Sequence, residues 1–238
     1  MYKGKTTIGI ITARGGSKGI ARKNIALLCG KPLIHYSIEA AKASKHLTRC
    51  IVSTEDQEIA RIASAAGAEV PFTRPSALAQ DESTTIDVLQ HALRWLKDTE
   101  GKTYDYVLVL QPTSPLRLVT DIDACIAKIT ETNADSVMSM VQLHDFSVKK
   151  LKKIEDDRIL PLLEEEGKFS ESRRASIPVY KRNTAIYLTR TDLILRGEMF
   201  GALSRPYVMP SERSVDINEP HDLDLAEFWM RKLRLYGA

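Results

Sequence analysis

Apolar residues fall along this chain in two alternating patterns: short, nearly continuous runs rich in β-branched residues, and longer stretches where they recur every three or four positions. The runs predict strands and the stretches predict helices. "TIGIIT" (Thr7 to Thr12) reads as a buried strand, and Pro32 to Ser44 as a helix with proline near its first turn. Cys50 to Thr54 is a second strand, followed by a helix over Glu55 to Gly67 with the glycine as its C-terminal cap. Ala68 to Thr73 predicts a short strand, Thr84 to Lys97 a helix, Tyr106 to Gln111 a strongly apolar strand, and Asp121 to Thr132 another helix.

This order predicts an α/β fold, a mostly parallel twisted sheet flanked by helices. Ligands bind such sheets beyond the carboxyl ends of the strands. The loops after Thr12, Thr54 and Leu110 are therefore expected to lie together. From 143 to 182 the alternation breaks down into charge clusters and scattered apolar residues, which reads as an insertion and a candidate oligomerisation arm. Asn183 to Thr189 resumes as a strand, and Glu219 to Tyr236 closes the chain as a helix, with Asn218 as its expected cap and Pro220 in its first turn. The length suits one domain over 1–238 with the insertion inside it.

Composition narrows the function classes. The chain is 43% hydrophobic and 27% charged, and 34 basic against 31 acidic residues leave a formal charge of +3. A balance that even gives nucleic acid no general footprint, so any anion site has to be local. Cys29, Cys50 and Cys125 show no metal-ligand spacing and suit reduced thiols, and no apolar stretch has the length of a membrane span or a signal core. The expectation is a cytoplasmic protein without a membrane or nucleic-acid partner. The five histidines have no partner at metal-ligand spacing.

"ARGGSKGIARKN" (Ala13 to Asn24) directly follows the first strand. Glycines allow close backbone approach and positive φ, so that N–H groups can turn toward an anion, while Arg14, Lys18 and Lys23 add charge. A polyphosphate needs all of these. The run matches neither G-x-x-x-x-G-K-[ST] nor G-x-G-x-x-G, which disfavours a P-loop and a dinucleotide fingerprint. In "RSVDIN", Asp216 and Asn218 project from one face of an extended segment and form a candidate Mg²⁺ pair, Asn218 serving equally as a helix cap. "QPTSPLR" places Gln111 at a strand end facing the crevice. "RRASIPVYKRN" offers Arg173, Arg174 and Lys181 as receivers for a carboxylate, or simply a solvated basic face.

"RGGSKGIARKN", "RPSALAQDES", "LQPTSPLR", "NTAIY" and "SVDINEPHDL", in this order, resemble the motifs of the acylneuraminate cytidylyltransferases, which make CMP-sialic acid, over nearly the whole chain. The resemblance implies a Rossmann-like nucleotide-diphospho-sugar transferase fold and a homodimer in which the insertion embraces the partner subunit. It implies that Arg14, Gly15, Gly16, Ser17, Lys18 and Lys23 hold the CTP phosphates, and that Asn24, Arg74 and Thr85 surround the cytidine. Gln111, Arg173 or Arg174, Lys181 and Tyr187 would line the sugar pocket. Asp216 and Asn218 would hold Mg²⁺, or Mn²⁺ in its place, with Asp222 at a third acidic position of the motif. Lys23, Asp216, Arg14 and Lys18 would carry the catalysis, Asp216 also being the candidate base, and the product would serve cell-surface glycan biosynthesis such as lipopolysaccharide or capsule.

Three departures bear on that reading. The family's D-I-D is Asp216-Ile217-Asn218 here, its N-G-A-I-Y is Asn183-Thr184-Ala185-Ile186-Tyr187, and Lys181 stands where arginine is expected. They leave legionaminate, pseudaminate and another nucleotide open as substrates. A non-catalytic nucleotide-binding homologue also stays open, because of Asn218. A nucleic-acid module is disfavoured by the even charge and the 6% aromatic content.

Overall fold

Thr7–Thr12 forms β1 in the interior of the sheet, with every residue but Thr12 buried. The computed structural model describes residues 1–144, 151–162 and 178–235. After β1 come the short antiparallel pair β2 (Leu27–Leu28) and β3 (Lys31–Pro32), then α1 (Leu33–Ala43), β4 (Arg49–Ser53) and α2 (Gln57–Ala65). There follow α3 (Thr85–Glu100), β5 (Tyr106–Val109), α4 (Val119–Thr132), β6 (Ser136–Leu143), and the hairpin of β7 (Lys152–Glu155) and β8 (Arg158–Pro161). The described chain closes with β9 (Val179–Arg190), α5 (Thr191–Leu195), β10 (Ser204–Val208) and α6 (Pro220–Leu233).

Six strands form the main sheet in the order β10-β6-β9-β5-β1-β4, where β9 runs antiparallel to both its neighbours and the remaining pairs are parallel. The period-2 alternation sends Ile8 and Ile10 of β1 to one face and Ile11 to the other. On the Ile11 face pack α1, α2 and α4, through Ile34, Ile59 and Ile126. On the opposite face pack α3 and α5, through Leu89, Leu93 and Ile194. A third cluster joins α6 to the loops through Val215, Ile217, Ala226 and Met230. A sheet covered on both faces offers a ligand only its strand ends.

Local capping chemistry sets the helix ends, at Gly67 as expected and at other residues besides. Asp56 caps α2 by accepting from the backbone N–H groups of Glu58 and Ile59, each at 2.9 Å. Thr84 and Asp87 cap each other at the start of α3. Gly67 follows α2 with φ +80°, and Gly101 closes α3 with φ +65°. The last helix differs from expectation: Glu219, not Asn218, holds the N-cap position, with Pro220 as the first helical residue. Asp222 supplies the capping carboxylate, accepting from the Asn218 and Glu219 N–H groups at 2.9 and 2.8 Å.

Other expectations are corrected. Ala68 to Thr73 is not a strand: Glu69 and Thr73 make isolated bridges to Ile51 and Thr54, and Pro71 between them has no N–H to give a ladder. The strand expected at Asn183 begins at Val179. β6 and β10 carry too little hydrophobic contrast to be seen in the sequence, since β6 turns Ser136 and Ser139 to the buried side and β10 contains Pro206 at the sheet edge.

One buried cation ties the strand ends together. Arg117, 3% exposed, donates to the Ala185 carbonyl at 2.7 Å, to Ser37 Oγ at 2.6 Å and to the Gln111 carbonyl at 3.4 Å. Burial pulls its guanidinium down to about 10, with Asp121 opposing the shift. Asp121 is itself fully buried and accepts from Leu118 N–H, Tyr207 and Arg213. Replacing Arg117 by methionine strands these buried acceptors, so urea denaturation should show a loss of about 2–4 kcal/mol, whereas a loss under about 1 kcal/mol would contradict the role.

Candidate active site

The loops after β1 and β5 meet at the carboxyl ends of their strands, as the strand-end rule requires, with the segment between α2 and α3 beside them. They border a cleft of about 280 Å³ that brings together Arg14, Lys23, Asn24, Arg74, Thr85 and Gln111. A second cleft, of about 340 Å³, lies between the start of β9 and the segment before α6 and is bordered by Lys181, Thr184, Asp216 and Asn218. Gln111 thus lies with the residues expected around the nucleotide, apart from Lys181. Tyr187 borders neither cleft. Its ring sits 6.2 Å from that of Phe200, and burial pushes its phenol above the ordinary range while Arg182 pulls it back and Asp216 adds to the rise. The loop after β4 joins the glycine-rich loop through Glu55 and Asp56, and borders neither cleft. Arg173 and Arg174 lie outside the described residues.

The glycine-rich loop is shaped by close approach rather than by positive φ. Gly15, Gly16 and Gly19 are absent from the positive-φ residues, and the left-handed turn falls on Arg22, at φ +54°. A Cβ on Gly19 would meet the Asn218 carbonyl oxygen at 2.2 Å, and one on Gly15 would meet the Asp56 carboxylate at 2.4 Å. Gly15 N–H donates to Glu55 Oε1 at 2.7 Å, and the other oxygen of Glu55 takes Arg74 Nη2. Arg74 borders the cleft, is 3% exposed, and has its Nε buried without an acceptor. Asn24 is buried and donates to the Arg14 carbonyl at 2.9 Å, fixing the backbone from which that guanidinium extends. Gly16 is open, Ser17 is half-buried and Lys18 is exposed on the same loop.

Charge is arranged in two groups. Arg14 Nη1 and Lys18 Nζ both pair with Asp81, at 2.9 and 2.8 Å, so one carboxylate spans two cations of the loop. Those two cations hold the Asp81 carboxyl below its usual range. Lys23 leads in the other direction: its Nζ donates to the Ile217 carbonyl at 3.0 Å and to Asn218 Oδ1 at 3.1 Å. Burial draws the Lys23 ammonium below its ordinary 10.5, with Asp216 opposing the shift. One ammonium therefore borders the first cleft and bonds to the wall of the second.

Asp216 has the features of a cation ligand. Its Oδ2 accepts Asn218 Nδ2 at 3.0 Å, while Oδ1 is buried with no donor reaching it. Asn218 turns its oxygen to Lys23 and its nitrogen to Asp216, as the donor-only ammonium and acceptor-only carboxylate require. Asp222 is committed to the helix cap. Among the described residues no group of three or more His, Cys, Asp or Glu could hold a metal alone. A single free carboxylate oxygen fits Mg²⁺, which takes one or two carboxylates and completes its shell with phosphate and water.

Sequence reasoning did not single out Asp81, Glu55 or Arg117. "RPSALAQDES" contained Asp81 as part of a motif, yet its pairing with a loop sixty-odd residues earlier needs the fold. Gly19→Ala should cost about 1–3 kcal/mol in thermal or chemical unfolding, because its Cβ meets backbone, whereas Gly16→Ala, with nothing within 4 Å, should stay within about 0.5 kcal/mol.

Comparison with known proteins fits this arrangement. Residues 8–205 match the sequence model of the family described as Cytidylyltransferase. The chain is 32% identical over 232 residues to the N-acylneuraminate cytidylyltransferase of Escherichia coli O18:K1:H7, covering 92% of this chain but 51% of that protein, about half its length. It is also 32% identical over 224 residues to the CMP-N,N'-diacetyllegionaminic acid synthase of Legionella pneumophila, covering 92% of this chain and 94% of that one. A solved structure of CMP:2-keto-3-deoxy-manno-octonic acid synthetase complexed with CTP superposes with a TM-score of 0.70 over 96% of this chain and 99% of the other. At 16% identity that likeness is one of fold.

Proposed function

The chain belongs to the cytidylyltransferase family, and from that premise we propose that it joins CTP to a nonulosonic acid, giving the CMP-sugar and pyrophosphate. The observation that carries this reading is the placement of Lys23. Its ammonium borders the cleft of Arg14 and Arg74 and bonds to the Asp216–Asn218 wall of the neighbouring cleft. Such a group can bear on an α-phosphate whose nucleotide lies on one side and whose attacking sugar lies on the other.

In this reading the triphosphate takes the place of the Asp81 carboxylate against Arg14 and Lys18, and the cytidine lies by Arg74, Asn24 and Thr85. The anomeric oxygen of the sugar forms a bond to the α-phosphorus as the bond to the β-phosphate oxygen breaks, and the pyrophosphate takes the leaving electron pair. Asp216 would receive the hydroxyl proton. Mg²⁺, or Mn²⁺, held by Asp216 with Asn218 beside it would neutralise charge on the phosphate oxygens. No side-chain nucleophile is needed, so positioning and charge carry the acceleration. The sugar carboxylate would be received by Lys181 with Arg173 or Arg174, while Gln111, on the nucleotide side, would meet the sugar only where the two clefts adjoin, and Tyr187, which borders neither cleft, has no direct part in this reading.

The hairpin of β7 and β8 supports a homodimer built on the insertion. Ile154 and Ile159 face each other across its register and are 76% and 73% exposed, a pair that a second copy would cover. The three cysteines are free, which suits a reducing cytoplasm, and no described helix is long and apolar enough to cross a membrane. The CMP-sugar would feed cell-surface glycan assembly.

Pyrophosphate release should appear with Mg²⁺, CTP and one of N-acetylneuraminate, diacetyllegionaminate or pseudaminate, and should fall away with GTP. Lys23→Ala should lower the rate by about a hundredfold or more, and Asp216→Ala by more than about tenfold. Silence with every sugar while CTP still binds would overturn the transfer reading.

A further inference from the structure

β9 departs from its partner strand beside the second cleft. Met138 of β6 pairs with Tyr187, and Met140 pairs with Arg182, so residues 183–186 of β9 lie opposite Ser139 alone. Within that excursion Thr184 has φ +62°. A β-branched residue rarely adopts this conformation, which glycine takes without steric cost.

The surrounding structure pins the excursion from several sides. Arg117 donates to the Ala185 carbonyl at 2.7 Å, Ile186 N–H donates to Ser139 Oγ at 2.7 Å, and Asn183 Nδ2 donates to Ser214 Oγ at 2.8 Å. Strained residues persist where neighbours over-determine them, and they concentrate at functional sites. The question is what threonine supplies there that glycine would not.

Its hydroxyl is already engaged. Thr184 Oγ1 donates to the Asn183 carbonyl at 2.7 Å, and Ser114 Oγ lies 3.2 Å from the same oxygen. With the threonine proton committed, Ser114 must be the donor in that second contact. The hydroxyl has no proton left for a ligand, and the residue borders the cleft of Lys181, Asp216 and Asn218. Its oxygen keeps one lone pair, and the methyl group is the part of this side chain without a polar partner.

Resting on the functional reading above, we propose that the Thr184 methyl is a selectivity element for the sugar. It narrows the cleft and rejects nonulosonic acids that carry the larger substituent where the methyl stands. Ser114, from the loop that also carries Gln111 and Arg117, holds the methyl in register with the nucleotide cleft.

The test measures kcat/KM for CTP-dependent pyrophosphate release across the sugar panel in the native chain and in Thr184→Gly, Thr184→Ser and Thr184→Val, with near-ultraviolet circular dichroism as the check on folding. Thr184→Gly and Thr184→Ser should lower the preference for the best sugar over the next by about tenfold or more, or admit a sugar that the native chain refuses. Thr184→Val, if folded, should keep the native order. A native preference retained in active Thr184→Ser would overturn the proposal and leave the hydroxyl as local glue. Absence of turnover by the native chain with every sugar would overturn the functional reading and this inference with it.

Discussion

Arg117 places a guanidinium where water does not reach, and the fold turns three oxygens toward it. These come from α1 at Ser37, from the end of the β5 segment at Gln111, and from the β9 excursion at Ala185. A buried donor group of this kind is costly unless satisfied, so the three elements are held to one arrangement. Asp121 extends the same constraint outward, because it takes Arg213 just before the segment that ends in Asp216. Both clefts inherit their walls from this pair of buried charges.

On that frame the chemistry is local, as a nearly neutral chain requires. Arg14 and Lys18 face outward and share the Asp81 carboxylate, while Lys23 is partly buried and bonded to Ile217 and Asn218. The first two are exposed ion pairs of small individual worth, which a triphosphate can displace at low cost. Lys23 is different, since its bonds come from the wall that also carries Asp216. In the proposed reading the loop divides its cations between an exchangeable set, Arg14 and Lys18, that would take the phosphates and a fixed one, Lys23, at the point of transfer.

Much of this was legible in the sequence because the signals were local. β1 was predicted to the residue and the start of α3 to within one, because hydrophobic period and capping chemistry act within a few positions, whereas α3 runs three residues past the expected Lys97, to Glu100 with Gly101 as its cap, and the last helix stops at Leu233. The strand-end rule brought the loops after β1 and β5 to one cleft, but not the segment of Arg74 to Thr85 that completes it in place of the loop after Thr54. β6 and β10 were not legible, since buried serines and an edge proline remove the hydrophobic contrast that marks a strand. Asn218 read as a helix cap because it precedes Pro220, whereas the capping carboxylate comes from Asp222, one turn on. The pairing of Asp81 with Arg14, and the positive φ of Thr184, depend on contacts between distant segments, and no local pattern encodes them.

The most direct test of the central claim is a crystal structure of this chain with CTP bound. The account predicts the triphosphate on Arg14 and Lys18 with Asp81 displaced, the base beside Arg74, and the α-phosphate within reach of Lys23. A nucleotide held in the cleft of Lys181 and Thr184, with Asp81 still paired to Arg14 and Lys18, would contradict it.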